Sequence, residues 1–295
     1  MENNNYRRTD LAAEAPVLEH TQELQGISTK KETKNGFNIT TVNVIDESGA
    51  EKIGKPIGTY VTIELGKVWL MEQPHFDSAI QELANVISEL SLPLLNGRSP
   101  AKIMIVGLGN RYITSDSIGP LTAKNITATH HLHSKNTELF DLLGKHMLSV
   151  IAPGVTGQTG VDTAELVAGA VSSVSPDLIV AVDALAARST DRLATTVQIC
   201  NTGISPGSGI GNHVKAINKD TLGVPVIAVG LPTMVSSATL VYDALEKAGI
   251  ESVNDDLRQV LETGMSFFVT LNETDTVISS LASLIAQALE TAFSL

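Results

Sequence analysis

From Lys102 onward the sequence alternates short aliphatic runs with stretches of helix length, and this alternation limits the chain to few folds. Residues 102–106 (KIMIV), 147–151 (MLSVI), 177–183 (DLIVAVD), 195–199 (TTVQI) and 224–229 (VPVIAV) read as strands. Helices are predicted from about Ile118 or Leu121 to Thr129, from Asp162, at about 236–248 and at 274–293. The last has an apolar face of Val277, Leu281, Leu284, Ile285 and Leu289. Strands separated by helices imply parallel pairing through right-handed crossovers. The fold class expected is therefore α/β, with a mainly parallel twisted sheet and helices on both faces. An apolar fraction of 43% with only 4% aromatics suits such an aliphatic sheet.

The N-terminal part reads differently. Residues 1 to about 35 are polar and charged, a leader followed by a surface segment. Residues 37–47 and 59–65 are β-branched and alternate, so a small β unit over about 37–65 is expected at the edge of the fold. Ser78 to Gln81 has the pattern of a capping box, opening a helix on Ile80, Leu83, Ile87 and Leu90 that Pro93 ends.

Charge and cysteine content exclude several function classes. The formal net charge is −12, and no basic run exceeds two residues, which argues against direct nucleic-acid binding. The single cysteine, Cys200, ends an apolar run and reads as a core residue in a reducing, intracellular compartment. The N-terminus has no apolar core of a signal peptide, and no run of 18 apolar residues suggests a membrane span.

Two carboxylates stand out. Asp116 follows the strand at 102–106 after a Gly107-Leu108-Gly109 turn, and Asp183 ends the run at 177–183. The turn fails as a dinucleotide fingerprint because Tyr112 occupies the third glycine position. In open parallel sheets the crevice beyond the strand ends is the usual site, and both acids are expected there. If they converge, one ionised carboxylate can take a proton from water while the other, protonated, donates to the carbonyl or leaving amine. The alternative is that Asp116 caps a helix and Asp183 a loop.

Three other patterns bear on chemistry. The loop at 206–212 offers the backbone N–H groups of Gly207, Ser208, Gly209 and Gly211 to an oxyanion or an extended peptide, or is a plain turn. His130, His131 and His133 point apart on a helix and lack a partner set, so no metal and no cofactor is expected. The leader segment Thr9-Asp10-Leu11-Ala12-Ala13-Glu14 looks like a protease's own substrate, so the chain reads as a possible zymogen.

Long motifs carry a family resemblance. Residues 8–14 (RTDLAAE), 55–61 (KPIGTYV), 106–120 (VGLGNRYITSDSIGP), 152–160 (APGVTGQTG), 183–188 (DALAAR), 206–212 (PGSGIGN) and 221–230 (TLGVPVIAVG) resemble the germination proteases of spore-forming bacteria. The resemblance implies an aspartic-type endopeptidase that degrades small acid-soluble spore proteins in the spore core. It implies a homotetramer, a fold similar to hydrogenase-maturation endopeptidases, and Asp116 and Asp183 as the two acids. It further implies self-removal of a propeptide, residues 1–12, by a cut between Ala12 and Ala13, leaving a single domain over 13–295. The leader is similar to the Thr-Glu-apolar-Ala/Ser-Glu site of the spore-protein substrates. Asn201 departs from the Asp expected there. A metal-dependent maturation-type peptidase and a non-catalytic α/β binding module remain as alternatives.

Overall fold

The computed structural model describes residues 9–18, 24–143, 146–206, 215–250, 254–263, 267–272 and 274–293. Its strands are β1 (Ile27–Lys34), β2 (Phe37–Val44), β3 (Gly58–Glu64), β4 (Lys102–Gly107), β5 (Met147–Ile151), β6 (Leu178–Ala187), β7 (Thr196–Cys200), β8 (Val226–Ser236) and β9 (Phe268–Val269). All nine belong to one sheet, ordered β1-β2-β3-β7-β8-β6-β4-β5, with β9 paired to β8.

The centre of the sheet is parallel: β4 pairs β5 and β6, and β6 pairs β8. Strands β1, β2, β3, β7 and β8 pair antiparallel in succession. The sheet is thus mixed, and the N-terminal β unit is the continuation of the main sheet through β3 and β7. Strand β1 falls in the segment read as surface, because its polar sequence carries little alternation and six of its eight residues are exposed. As an edge strand it is fixed by its ladder to β2 rather than by burial.

β6 shows why its sequence is almost wholly apolar. Leu178, Val180 and Val182 face a cluster built with the helices Gln73–Leu95 and Thr274–Phe293. Ile179 and Ala181 face the other way, against Ala164 and Val167 of the helix Thr163–Val174. Helices therefore cover both faces, and the period of two along the strand decides which core each side chain joins.

The helix Thr274–Phe293 is long and apolar enough to cross a membrane by length and composition. Its apolar face is instead packed into the core, with Leu281, Leu284 and Leu289 fully buried. The helix Gln73–Leu95 begins one turn and more before the capping box expected at Ser78. Pro74 sits in its first turn, where a missing N–H costs nothing, and Ser78 Oγ bonds back to the Pro74 carbonyl at 2.8 Å. Pro93 lies inside the last turn, and Asn96 in the left-handed region closes the helix.

Candidate active site

Two tight backbone approaches set the loop after β4. A Cβ on Gly107 would come within 2.2 Å of the Gly119 carbonyl oxygen. Gly109 has φ +110°, and a Cβ there would lie 2.1 Å from the Asp116 carbonyl oxygen. The glycines let residues 107–119 fold back on themselves rather than cradle a phosphate. Within that fold the Asn110 N–H donates to Asp116 Oδ2 at 2.8 Å. Asp116 therefore tethers its own loop and does not cap the helix Ile118–Asn125, whose N-cap is Ser117.

Asp183 does not end its strand. β6 runs four residues further, to Ala187, because β8 continues to pair with it through a bulge after Leu185. The sequence concealed this, since Ala184–Ala187 carries no β-branched or aromatic residue to mark a strand. Asp183 is only 5% exposed and stands opposite Gly230 of β8. Its Oδ1 accepts the Ala184 N–H at 2.9 Å.

Burial pushes the Asp183 carboxyl well above the usual carboxylate range. The charge of Asp116 pushes it the same way, and that of Asp10 adds a smaller push. Asp116 is raised by burial too, an effect its bond from Asn110 opposes. The charge of Asp116 thus reaches Asp183, and Asp183 is the more strongly raised of the two.

Asp183 opens onto a cavity of about 430 Å³, whose wall includes Asp10, Gln198, Cys200 and Gly230. Asp116 is not part of that wall. Ser205 and Ala216 also line it, flanking the loop that contains Gly207, Ser208, Gly209 and Gly211; those four lie outside the described residues. Cys200 is buried with a raised thiol pKa, chiefly through burial, as a core residue should be. Asn201 is structural: its Oδ1 accepts the Thr59 N–H at 2.9 Å.

Among the described residues no group of three or more His, Cys, Asp or Glu side chains could hold a metal ion. His130 bonds Ser149 Oγ at 2.7 Å through Nδ1, and His133 packs edge-on to Phe140, so the histidine cluster is spread over local contacts.

The sequence marks the leader as substrate-like but does not show where it docks. Residues 9–18 are docked on the site. The Asp10 N–H donates to the Ala186 carbonyl at 2.9 Å, and the Ala186 N–H donates to Asp10 Oδ2 at 2.9 Å. Leu11 is 0% exposed among Leu185, Ala187, Leu193 and Val235. The Ala12 N–H donates to Gln198 Oε1 at 2.7 Å, and Ala12 is 1% exposed. Glu14 is 7% exposed and reaches the Arg188 N–H at 2.7 Å and Arg192 Nε at 3.3 Å. The Ala12–Ala13 bond lies in the 3-10 turn Ala12–Glu14, whereas the leader residues on the cavity wall are Thr9 and Asp10. Asp10, Glu14, Arg188, Arg192 and Gln198 went unnoticed as site residues. The signal was present: two acids bracket an apolar leader segment, and two arginines follow the Asp183 strand.

A family model described as germination protease matches residues 7–249. The chain belongs to the germination protease family. A germination protease of Caldanaerobacter subterraneus subsp. tengcongensis is 44% identical over 241 residues, covering 81% of this chain and 72% of the relative. One from Clostridium perfringens is 38% identical over 273 residues, covering 91% of this chain and 81% of the relative. Among solved structures, a NiFe hydrogenase maturation protease, HycI of Thermococcus kodakarensis, matches with a TM-score of 0.36 and 17% identity over 69% of this chain and 98% of its own. Membership of the family makes the chain a protease associated with germination.

Proposed function

We propose that the chain is an aspartic-type endopeptidase in which Asp116 and Asp183 act as one acid/base unit. The observation that carries this reading is the state of Asp183, a buried carboxyl on a cavity wall, raised by burial and by the charge of Asp116. Such a pair titrates in two steps, so one proton is shared over a wide pH range. In the reaction, ionised Asp116 takes a proton from water as its oxygen bonds the scissile carbonyl carbon. Protonated Asp183 supports the carbonyl oxygen and then gives its proton to the leaving amine as the C–N bond breaks. The proton that Asp116 gained resets the pair.

The substrates are small acid-soluble spore proteins, cut within Thr-Glu-apolar-Ala/Ser-Glu segments in the spore core. The enzyme is made as a zymogen, works as a homotetramer, and sheds its leader by its own activity. Cleavage between Ala12 and Ala13 requires the turn Ala12–Glu14 to leave its buried position first. A cut beside Asp10 needs less movement. The loop carrying Gly207, Ser208, Gly209 and Gly211 is a candidate to hold the carbonyl oxygen or the peptide backbone.

The test is cleavage of the peptide Thr-Glu-Ile-Ala-Ser-Glu by the full chain, with Asp116→Asn and Asp183→Asn as comparisons. Cleavage lost in both variants supports the reading; cleavage retained in either overturns it. N-terminal sequencing of the wild-type product reports which leader bond is cut.

A further inference from the structure

We infer that the docked Thr9–Glu14 segment fills the enzyme's own substrate subsites, and that Arg192 with the Arg188 backbone is the subsite that reads the substrate's last glutamate. This deepens the peptidase reading and rests on it for the identity of the substrate.

Each residue of the hexapeptide meets its own contacts on the protein. Thr9 donates its hydroxyl to Glu14 Oε2 and takes the Leu11 N–H at 3.0 Å, so the first position is read through the last. Asp10, at the second position, takes the Ala186 N–H through its carboxylate. Leu11, at the third, fills an apolar pocket closed by Leu185, Leu193 and Val235. Ala12, at the fourth, lies against Val42, Tyr60 and Cys200, where its small size fits. Ala13, at the fifth, is only partly buried. Glu14, at the sixth, is held by the Arg188 N–H, by the Arg188 guanidinium on its carbonyl oxygen at 3.2 Å, and by Arg192.

The demands of this surface run threonine, acid, apolar, small, tolerant, acid. That order is the order of the six-residue peptide Thr-Glu-Ile-Ala-Ser-Glu, with Asp10 in place of the first Glu and Ala13 in place of Ser. A terminal strap held only for stability has no need of two carboxylate contacts at fixed spacing, the half-buried Asp10 and the buried Glu14, since burying a charge costs free energy unless it is met by donors. The same donors would meet the two glutamates of a substrate. Asp10 lies on the cavity wall with Asp183, which brings the occupied subsites up to the candidate catalytic acid.

Docked segment and substrate then compete for one site. The experiment measures binding of a labelled Thr-Glu-Ile-Ala-Ser-Glu peptide by anisotropy, in the full chain carrying Asp183→Asn so that turnover is suppressed. A second peptide ends in Gln instead of Glu. The chain is expected to prefer the Glu peptide by about tenfold through the Arg188 N–H and Arg192, because burial of the carboxyl offsets part of what a hydrogen-bonded charge pair contributes. Glu14→Gln, which weakens the internal competitor, is expected to tighten Glu-peptide binding by about tenfold. Arg192→Gln should erase the preference between the peptides, and Arg192→Lys should restore part of it. Binding unchanged by Glu14→Gln, a preference that survives Arg192→Gln, or no binding by any variant would each overturn the subsite. A wild-type chain that binds the Glu peptide with this pattern yet never cuts it would instead sink the peptidase reading and leave the subsite standing.

Discussion

Asp183 and Gly230 face each other across the parallel pairing of β6 and β8, both on the cavity wall. Gly230 has no room for a side chain, since a Cβ there would meet the Leu185 side chain at 2.4 Å. The absent side chain makes room for Leu185, two residues past the carboxyl, on a strand otherwise buried on both faces. An acid in such a position is costly once ionised, and that cost makes it useful as a proton donor.

Asp183→Asn is expected to stabilise the protein at neutral pH while abolishing activity. A carboxyl whose folded pKa is raised binds its proton more tightly in the folded state, so stability falls as pH rises. The penalty is absent below the unfolded value of 3.8, grows through the window above it, and is complete beyond the raised pKa. Asn removes the charge and can still accept the Ala184 N–H. The melting temperature of the variant should exceed wild type by about 2 °C or more at pH 8, with little difference at pH 4. A variant that melts lower at pH 8 would show Asp183 to be a structural partner.

Asp116→Asn and Asp183→Asn are each expected to remove peptide cleavage and leader loss, and the double variant should be little worse than either. Groups that act as a unit fail together. If the acids served only to tether the neighbouring backbone, each change would cost about 0.5–2 kcal/mol of stability and leave turnover nearly normal. Steady-state cleavage above a tenth of wild type in either single variant would favour that structural role.

The strand–helix alternation made the parallel centre legible, because β4, β6 and β8 are apolar on both faces and say so in sequence. Asp116 and Asp183 were legible for a related reason: each interrupts an otherwise apolar or tight backbone context. The polar edge strand β1 was not, since its structure comes from cross-strand hydrogen bonds that no side-chain pattern encodes. Nor was the extension of β6 past Asp183, where the partner strand supplies the order. The docking of Glu14 on Arg188 and Arg192 joins residues 174 or more positions apart in sequence, and only the fold brings them together.

Activity should follow a bell in pH. The rising limb reports Asp116 losing its proton, and the falling limb reports Asp183 losing its own, which comes later because its carboxyl is raised far more. Acid is therefore expected to favour leader loss through the proton on Asp183, and not by releasing the segment. Glu14 is itself raised, first by burial, so the docked form gains relative to the undocked form as pH falls toward 4.5. Hydrogen-exchange protection factors for residues 9–15 should rise on going from pH 7 to pH 5, and Glu14→Gln should flatten that trend. Protection that drops in acid would reverse the assignment.

Gly109→Ala tests whether the position of Asp116, rather than its mere presence, matters. The φ of +110° at Gly109 is a conformation that alanine rarely adopts, and the added Cβ would meet the Asp116 carbonyl oxygen at 2.1 Å and Oδ1 at 3.0 Å. Neither the backbone nor the tethered carboxylate can yield without moving the loop. The cost is expected to be about 1–3 kcal/mol, with cleavage reduced by far more than the fraction unfolded would explain. Gly169→Ala is the control, because Gly169 lies in the helix Thr163–Val174 with nothing within 4 Å of a new Cβ. That change should stabilise by about 0.5–1 kcal/mol and leave cleavage unchanged. If Gly109→Ala loses stability but keeps full kcat at temperatures where it is folded, the place of Asp116 in the chemistry is lost with it.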